Sequence, residues 1–276
     1  MIFADLELAR RLERTEGHAC REFAEARRRH DPESGATSIE CGGAYAVFDG
    51  VGSPITQTFG LGLFEEASPA VLDRIERFFL DRGASVHHEV SPLAGVATTD
   101  RLCARGYHPI EMSSVVYRLV ERPVFRPAAA GRATKVRVTG PKDAALWSEI
   151  SVRGWSHEHP ELREFMRAAG ALITARPANV CFLAESDGEP GAAGALFVHD
   201  GVALFGGAST VPELRRRGLQ SALMQARMRY AFEHGCDLAM MAAEAGSQSQ
   251  RNAERAGFRI AYTRTKWELR AGAAGS

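Results

Sequence analysis

The eleven residues from Thr210 to Gln220, T-V-P-E-L-R-R-R-G-L-Q, constrain this chain most, because they join a strand end to a helix start through a basic, glycine-containing loop. Upstream, Val202 to Ala208 is a short apolar run of the kind that fills a buried strand. Downstream, Leu219 to His234 places Leu219, Leu223, Ala226 and Tyr230 at helical spacing. The loop therefore ends at a helix N-terminus. Backbone N–H groups have no intrahelical partner there, and the helix dipole adds about half a positive charge, so a phosphate is favoured at that spot. Gly218 lets the backbone approach an anion, and Arg215, Arg216 and Arg217 can add charge-assisted contacts. A solvated basic corner is the plainer alternative. The sequence shows neither the Gly-Lys-Ser/Thr ending of a P-loop nor the Gly-x-Gly-x-x-Gly of a dinucleotide site.

The loop resembles the signature of the GNAT superfamily of acyl-CoA-dependent N-acyltransferases, Val-x-Pro-x-x-Arg/Gln-x-x-Gly-x-Gly/Ala. Pro212, Arg215 and Gly218 match, Thr210 stands at the valine place, and Gln220 departs from the usual small residue while keeping its backbone N–H. Gly235, the apolar strand Leu238 to Ala243, a short helix from Ser247 to Ala256, and Gly257-Phe258 leading into a last strand, Ile260 to Leu269, then follow in the order of such a domain. The resemblance implies acetyl-CoA as cosubstrate. Its pyrophosphate would lie on Arg215, Arg216, Arg217, Gly218, Leu219, Gln220 and Ser221, and its pantetheine arm along the backbone of Thr210 and Val211; Asn252 is read as facing the cofactor side of its helix, with capping or solvation an equal explanation.

Composition excludes several other classes. The formal net charge is zero, so the basic cluster is local and nucleic acid is not an expected partner. Five scattered cysteines without ligand spacing fit reduced thiols and predict no metal site. Without a signal-like stretch or an apolar run of about 18 residues, the chain is expected in the cytoplasm and not in a membrane.

Two halves flank a Pro- and Ala-rich stretch. The expected boundaries are 1–122, a linker at 123–133, a second domain at 134–270 and a flexible tail at 271–276. Both halves show a glycine-studded apolar strand, a proline, a helix, a glycine and a closing Gly-aromatic pair. Gly83 to Gly106 spans 23 positions and Gly235 to Gly257 spans 22, which suggests a duplicated unit. Pro69 to Gly83 spans only 14 positions against 23 from Pro212 to Gly235, and the first half carries Glu65-Glu66 and Ser68-Pro69 where the second carries arginines. Acidic charge and a self-capped helix oppose a pyrophosphate, so only the second half is expected to bind the cofactor. The fold class is α/β (α+β): two GNAT-like domains, each a mixed, mostly antiparallel sheet flanked by helices, the first one degenerate. The first would support the fold, shape the acceptor pocket or form an interface, with a homodimer among the open assemblies.

Local signals predict a charged helix over Asp5 to Arg29, strands over Ile39 to Phe48 and Ile55 to Phe64 around a Gly50-Val51-Gly52 hairpin, and a strand over Lys135 to Val138. Helices are expected over Asp143 to Arg153 and Glu161 to Ala175, and a hairpin joins Asn179 to Ser186 with Ala192 to His199.

The implied reaction is direct attack of the neutral primary amine of a small molecule on an acetyl thioester. An alkylammonium pKa lies about 3.4 units above neutrality, so presenting the amine uncharged costs roughly 4.6 kcal/mol and a base is expected nearby. A coenzyme thiol, with a pKa of about 8.5, leaves with little help. Many GNAT enzymes carry an acid tyrosine four residues before the Gly-Phe pair; here that place is Ala253. Tyr262 is the substitute acid considered, Ser247 and Ser249 being others, although a packed strand aromatic is its plainer reading. Glu244 is a candidate base through water, or else a cap of the following helix. Trp155, His157, Glu158 and His159 fall where the family lines its acceptor pocket, which makes His157 a candidate base or acceptor contact. His87, His88 and Glu89 are adjacent on a strand, alternate between faces and are assigned structural roles. A non-catalytic acyl-CoA sensor and a protein-modifying acetyltransferase are the competing readings.

Overall fold

The computed structural model describes residues 3–122, 134–157, 160, 163–176 and 178–271. The expected linker 123–133 therefore lies outside the described residues, as do Glu158, His159 and all but the first residue of the tail. In chain order the elements are α1 (Leu6–His30), β1 (Thr37–Cys41), β2 (Ala44–Phe48), β3 (Gln57–Phe59), α2 (Pro69–Leu80), β4 (Val86–Val90), α3 (Val96–Ala104) and β5 (His108–Leu119). There follow β6 (Thr134–Val138), α4 (Ala144–Trp155), α5 (Arg163–Ala175), β7 (Asn179–Ser186), β8 (Glu189–His199), β9 (Val202–Thr210), α6 (Leu219–Glu233), β10 (Leu238–Glu244), α7 (Gln248–Arg255) and β11 (Arg259–Leu269).

By internal contacts the chain divides into one unit of Met1–Tyr117 with Ala242–Ser276 and another of Arg118–Met241. In the first, the strand order is β1-β2-β3-β4-β11-β5; only the β3–β4 pair is parallel. In the second the order is β10-β9-β8-β7-β6, with β9–β10 the parallel pair. Each unit is thus a mixed, mostly antiparallel sheet flanked by helices.

Local chemistry explains most element ends. Asp5 caps α1, its carboxylate accepting from the Leu8 N–H at 2.9 Å, a contact worth about 1 kcal/mol. Basic Arg27 to His30 fill the last turn, where the dipole favours them. A buried stripe including Leu8, Leu12 and Phe23 runs along α1, and Gly17 allows close approach to the sheet: a Cβ there would stand 2.8 Å from Tyr45 Cδ2. The β7–β8 and β8–β9 hairpins turn on Asp187-Gly188 and Asp200-Gly201, all four with positive φ, as two-residue primed turns require. Leu72, Ile75, Phe78 and Phe79 of α2 join Val86, Leu102, Tyr107 and Leu269 in the core of the first unit.

Three expectations are corrected. Ile39 to Phe48 is two strands, folded back at Gly42-Gly43, whose φ values of 58° and 74° break the run. The strand expected over Ile55 to Phe64 is only Gln57–Phe59, since Gly60 and Gly62 take φ of 79° and 76° and turn the chain. The third concerns the C-terminus: of the second domain expected over 134–270, residues 242–270 group by contacts with the first unit, where β11 lies between β4 and β5. Pairing partners more than 140 positions away leave no local trace in a sequence.

Candidate functional site

The phosphate loop grows out of a strand that loses its neighbour. β9 pairs with β10 from Val202 to Leu204, opposite Leu238 to Met240, and among the described residues β10 supplies no register partner to Gly206 through Thr210. On its other edge β9 carries a bulge. Ala193 pairs with Ser209 and Ala195 with Gly206, so Gly207 and Ala208 together oppose Gly194 alone. Gly207 has φ of 59°, which favours glycine at that place. The bulge is held by two buried side chains. Trp147 of α4 donates Nε1–H to the Gly194 carbonyl at 3.2 Å, and Arg227 of α6 donates Nη1–H to the Ala195 carbonyl at 3.3 Å. Arg227 is 1% exposed and its guanidinium lies over the Phe205 ring. Burial pulls its pKa down to about 10, which leaves it charged at neutral pH.

Past β9 the chain is anchored before it opens. The Val211 N–H bonds to the Gly191 carbonyl at 2.9 Å, and Pro212–Leu214 forms one 3-10 turn that buries Leu214. A Cβ on Gly191 would collide with Leu214 Cδ1, so this contact needs glycine. Then Arg216 and Gly218 adopt left-handed φ of 62° and 81°, and α6 begins with no side chain bonded to its N-terminal amides. Alternation of handedness turns successive N–H groups toward one concavity, a geometry that favours anions. Nothing lies within 4 Å of a Cβ built on Gly218, so the space above it is open. Arg216 is exposed and Arg217 half-buried. The Arg215 Nε–H donates to the Thr210 carbonyl at 3.4 Å. Leu219 is buried beneath the first turn, and Ser221 is exposed.

The corresponding helix of the first unit is closed. Ser68 Oγ accepts from the Val71 N–H at 3.4 Å and Pro69 occupies the first turn, which removes one of the donors a phosphate would use.

The structure distributes the other candidates differently. Tyr262 is buried in the first unit, its hydroxyl donating to Glu13 Oε1 at 2.9 Å. It belongs to a cluster around Arg264, whose guanidinium meets Glu13 at 3.3 Å, Glu16 at 2.7 Å and Glu89 at 2.9 Å and bonds Ser113 Oγ at 3.1 Å. Burial, then the charge of Glu13, raises the Tyr262 pKa well above its usual range, so this hydroxyl is held as a structural donor. Burial pushes the Glu13 carboxyl up to about 7 against the opposing pull of Arg264, and likewise raises Glu89. Residues 13, 16, 89 and 264 were not singled out together by sequence reasoning, and their separation in the chain offered no signal.

Glu244 is exposed at the end of β10, and the cap of α7 is Ser247, which accepts from the Gln250 N–H; the capping role considered for Glu244 therefore falls away. Asn252 Oδ1 accepts from Gln248 Nε2–H and Arg255 Nη1–H of its own helix. His157 is exposed just past α4. His88 is buried and bonded through Nε2 to the Tyr107 hydroxyl at 3.0 Å, and burial lowers its pKa to about 3, while His87 pairs with Glu268 at 3.2 Å. Both have structural partners.

Residues 144–258 match the family model described as the Acetyltransferase (GNAT) family. That stretch holds the basic loop and α6, so the site described above lies within the GNAT-like region. Among solved structures, a GCN5-related N-acetyltransferase from Kribbella flavida aligns with a TM-score of 0.63 and 19% identity, over 89% of this chain and 93% of that one. A tandem GNAT protein from the clavulanic acid biosynthesis pathway aligns with a TM-score of 0.59 and 14% identity, over 84% and 79% respectively. A GCN5-related N-acetyltransferase from Sphaerobacter thermophilus gives 0.54 and 16%, over 72% and 66%. At these identities the likeness is one of fold, and it spans both units. No protein of curated function matches the chain. Among the described residues, no helix is long and apolar enough to cross a membrane.

Proposed function

We propose that this chain is an acetyl-CoA-dependent N-acetyltransferase that acetylates a primary amine of a small molecule by direct attack. The observation that carries the reading is the uncapped N-terminus of α6, with left-handed Arg216 and Gly218 before it, beside the part of β9 that β10 leaves unpaired. The amides of Leu219, Gln220 and Ser221 supply donors for a diphosphate, and Arg216 and Arg217 supply charge. The unpaired edge of β9 offers backbone groups to an extended amide-bearing arm, as an added strand would. Acetyl-CoA brings an activated acyl group whose thiolate leaves readily. The protein's remaining task is to present a neutral amine. Exposed Glu244 and His157 are the candidate bases, while Tyr262 is committed to Glu13 and is withdrawn as the acid.

One observation favours a non-catalytic acyl-CoA sensor instead: the family's usual acid position is Ala253, fully buried, and the substitute Tyr262 is engaged elsewhere. Thiol release from acetyl-CoA, followed across a panel of polyamines, amino sugars, amino acids and lysine peptides, separates the two. Turnover is expected with at least one small amine. Tight CoA binding with release no faster than without amine, across the whole panel, would favour the sensor, and turnover confined to the peptides would indicate a protein-modifying enzyme.

A further inference from the structure

We propose that Gln220 is a positioning residue for the cofactor, acting through Thr210 as a clasp across the phosphate loop. This rests on the cofactor reading above. Gln220 Nε2 donates to Thr210 Oγ1 at 2.7 Å, joining the first turn of α6 to the last residue of β9. These are the two places at which the loop departs from the family signature, and the departures are bonded to each other.

The geometry gives the clasp work to do. Arg216 holds a left-handed φ of 62°, a conformation that costs a residue with a side chain free energy, and both Arg216 and Gly218 are exposed. Buried Leu214 and Leu219 fix the ends of the segment to the core, but they do not set the exposed arch between them. The Gln220–Thr210 bond spans that arch, and Arg215 Nε–H on the Thr210 carbonyl closes it from within. The loop is thereby ordered before a ligand arrives, and a ligand that binds a preordered loop loses less entropy. The bond also commits the glutamine amide to β9, which leaves the α6 amides available to an anion. Because Leu214 and Leu219 anchor the fold independently, loss of the clasp should appear in affinity and not in stability.

Calorimetric titration of the full chain with CoA tests this. Gln220→Ala and Thr210→Val should each weaken binding about fivefold, and the double variant should be no weaker than either single, since one bond is lost in all three. Thr210→Ser, which keeps the hydroxyl, should restore most of the affinity. Melting temperatures should stay within about 2 °C of the parent. Single variants that bind like the parent, effects that add in the double variant, or affinity losses matched by equal losses of stability would each overturn the clasp and leave the cofactor reading intact. A parent chain that does not bind CoA would overturn both.

Discussion

Replacing Arg264 with methionine should destabilise the first unit by about 3–5 kcal/mol, the largest stability effect expected anywhere in the chain. One guanidinium, 3% exposed, answers the carboxylates of Glu13, Glu16 and Glu89, and two of these three are themselves almost fully buried. Methionine fills similar volume but leaves the carboxylates facing one another without a cation. Urea unfolding is the direct measurement, and a midpoint unchanged from the parent would remove the cluster from the account. The same cluster sets a pH dependence. Glu13 has its carboxyl raised from 4.5 to about 7, burial being the main cause, so between those values the folded chain holds a proton that the unfolded chain releases. Its contribution to stability is therefore full below about pH 4.5 and is lost as pH rises through about 7, up to about 3 kcal/mol in all. Glu13→Gln should remove that slope. Unfolding free energies of parent and variant compared at about pH 5 and about pH 8 should diverge; parallel values would contradict the assignment.

The largest functional effect is expected from Gly218→Asp combined with Arg217→Glu, which places two negative charges where the account puts a diphosphate. The pair should reduce CoA affinity by roughly a hundredfold or more while lowering the melting temperature by no more than about 5 °C, the strain of a side chain at left-handed Gly218. Aspartate at Gly218 takes on the strain of a left-handed backbone, which it tolerates better than most residues, while the space above Gly218 is open and Arg217 is not buried in the core, so the fold should persist at a small cost in stability. Calorimetric titration and thermal melting of the same sample check both halves. Retained affinity in the double variant would move the site elsewhere.

What the sequence made legible was what local chemistry encodes. The β9–loop–α6 segment was readable because apolar period, proline, arginines and glycine fall within one short stretch, and Ser68-Pro69 announced a self-capped helix by the same logic. The Asp187-Gly188 turn between Asn179–Ser186 and the next strand carried comparable information. Non-local pairing was not legible: nothing in Arg259–Leu269 indicates that it inserts between β4 and β5, or that Arg264 will meet two glutamates of α1. Tyr262 shows the consequence: a packed strand aromatic is its plainer reading, but the partner that holds its hydroxyl, Glu13, lies 249 positions away and leaves no sequence signal. The bulge at Gly207 and the Gln220–Thr210 bond were hidden for a related reason, as both depend on register and rotamer more than on residue type.

The central claim is that the N-terminal amides of α6 grip the diphosphate of coenzyme A and that the closed, serine-capped α2 does not. Calorimetry of the intact chain with CoA, carried to about 1 mM, tests it most directly. Saturable binding of one CoA per chain is expected, abolished by Gly218→Asp with Arg217→Glu. Absence of any heat of association at that concentration, or a second equivalent site that survives the double variant, would contradict it.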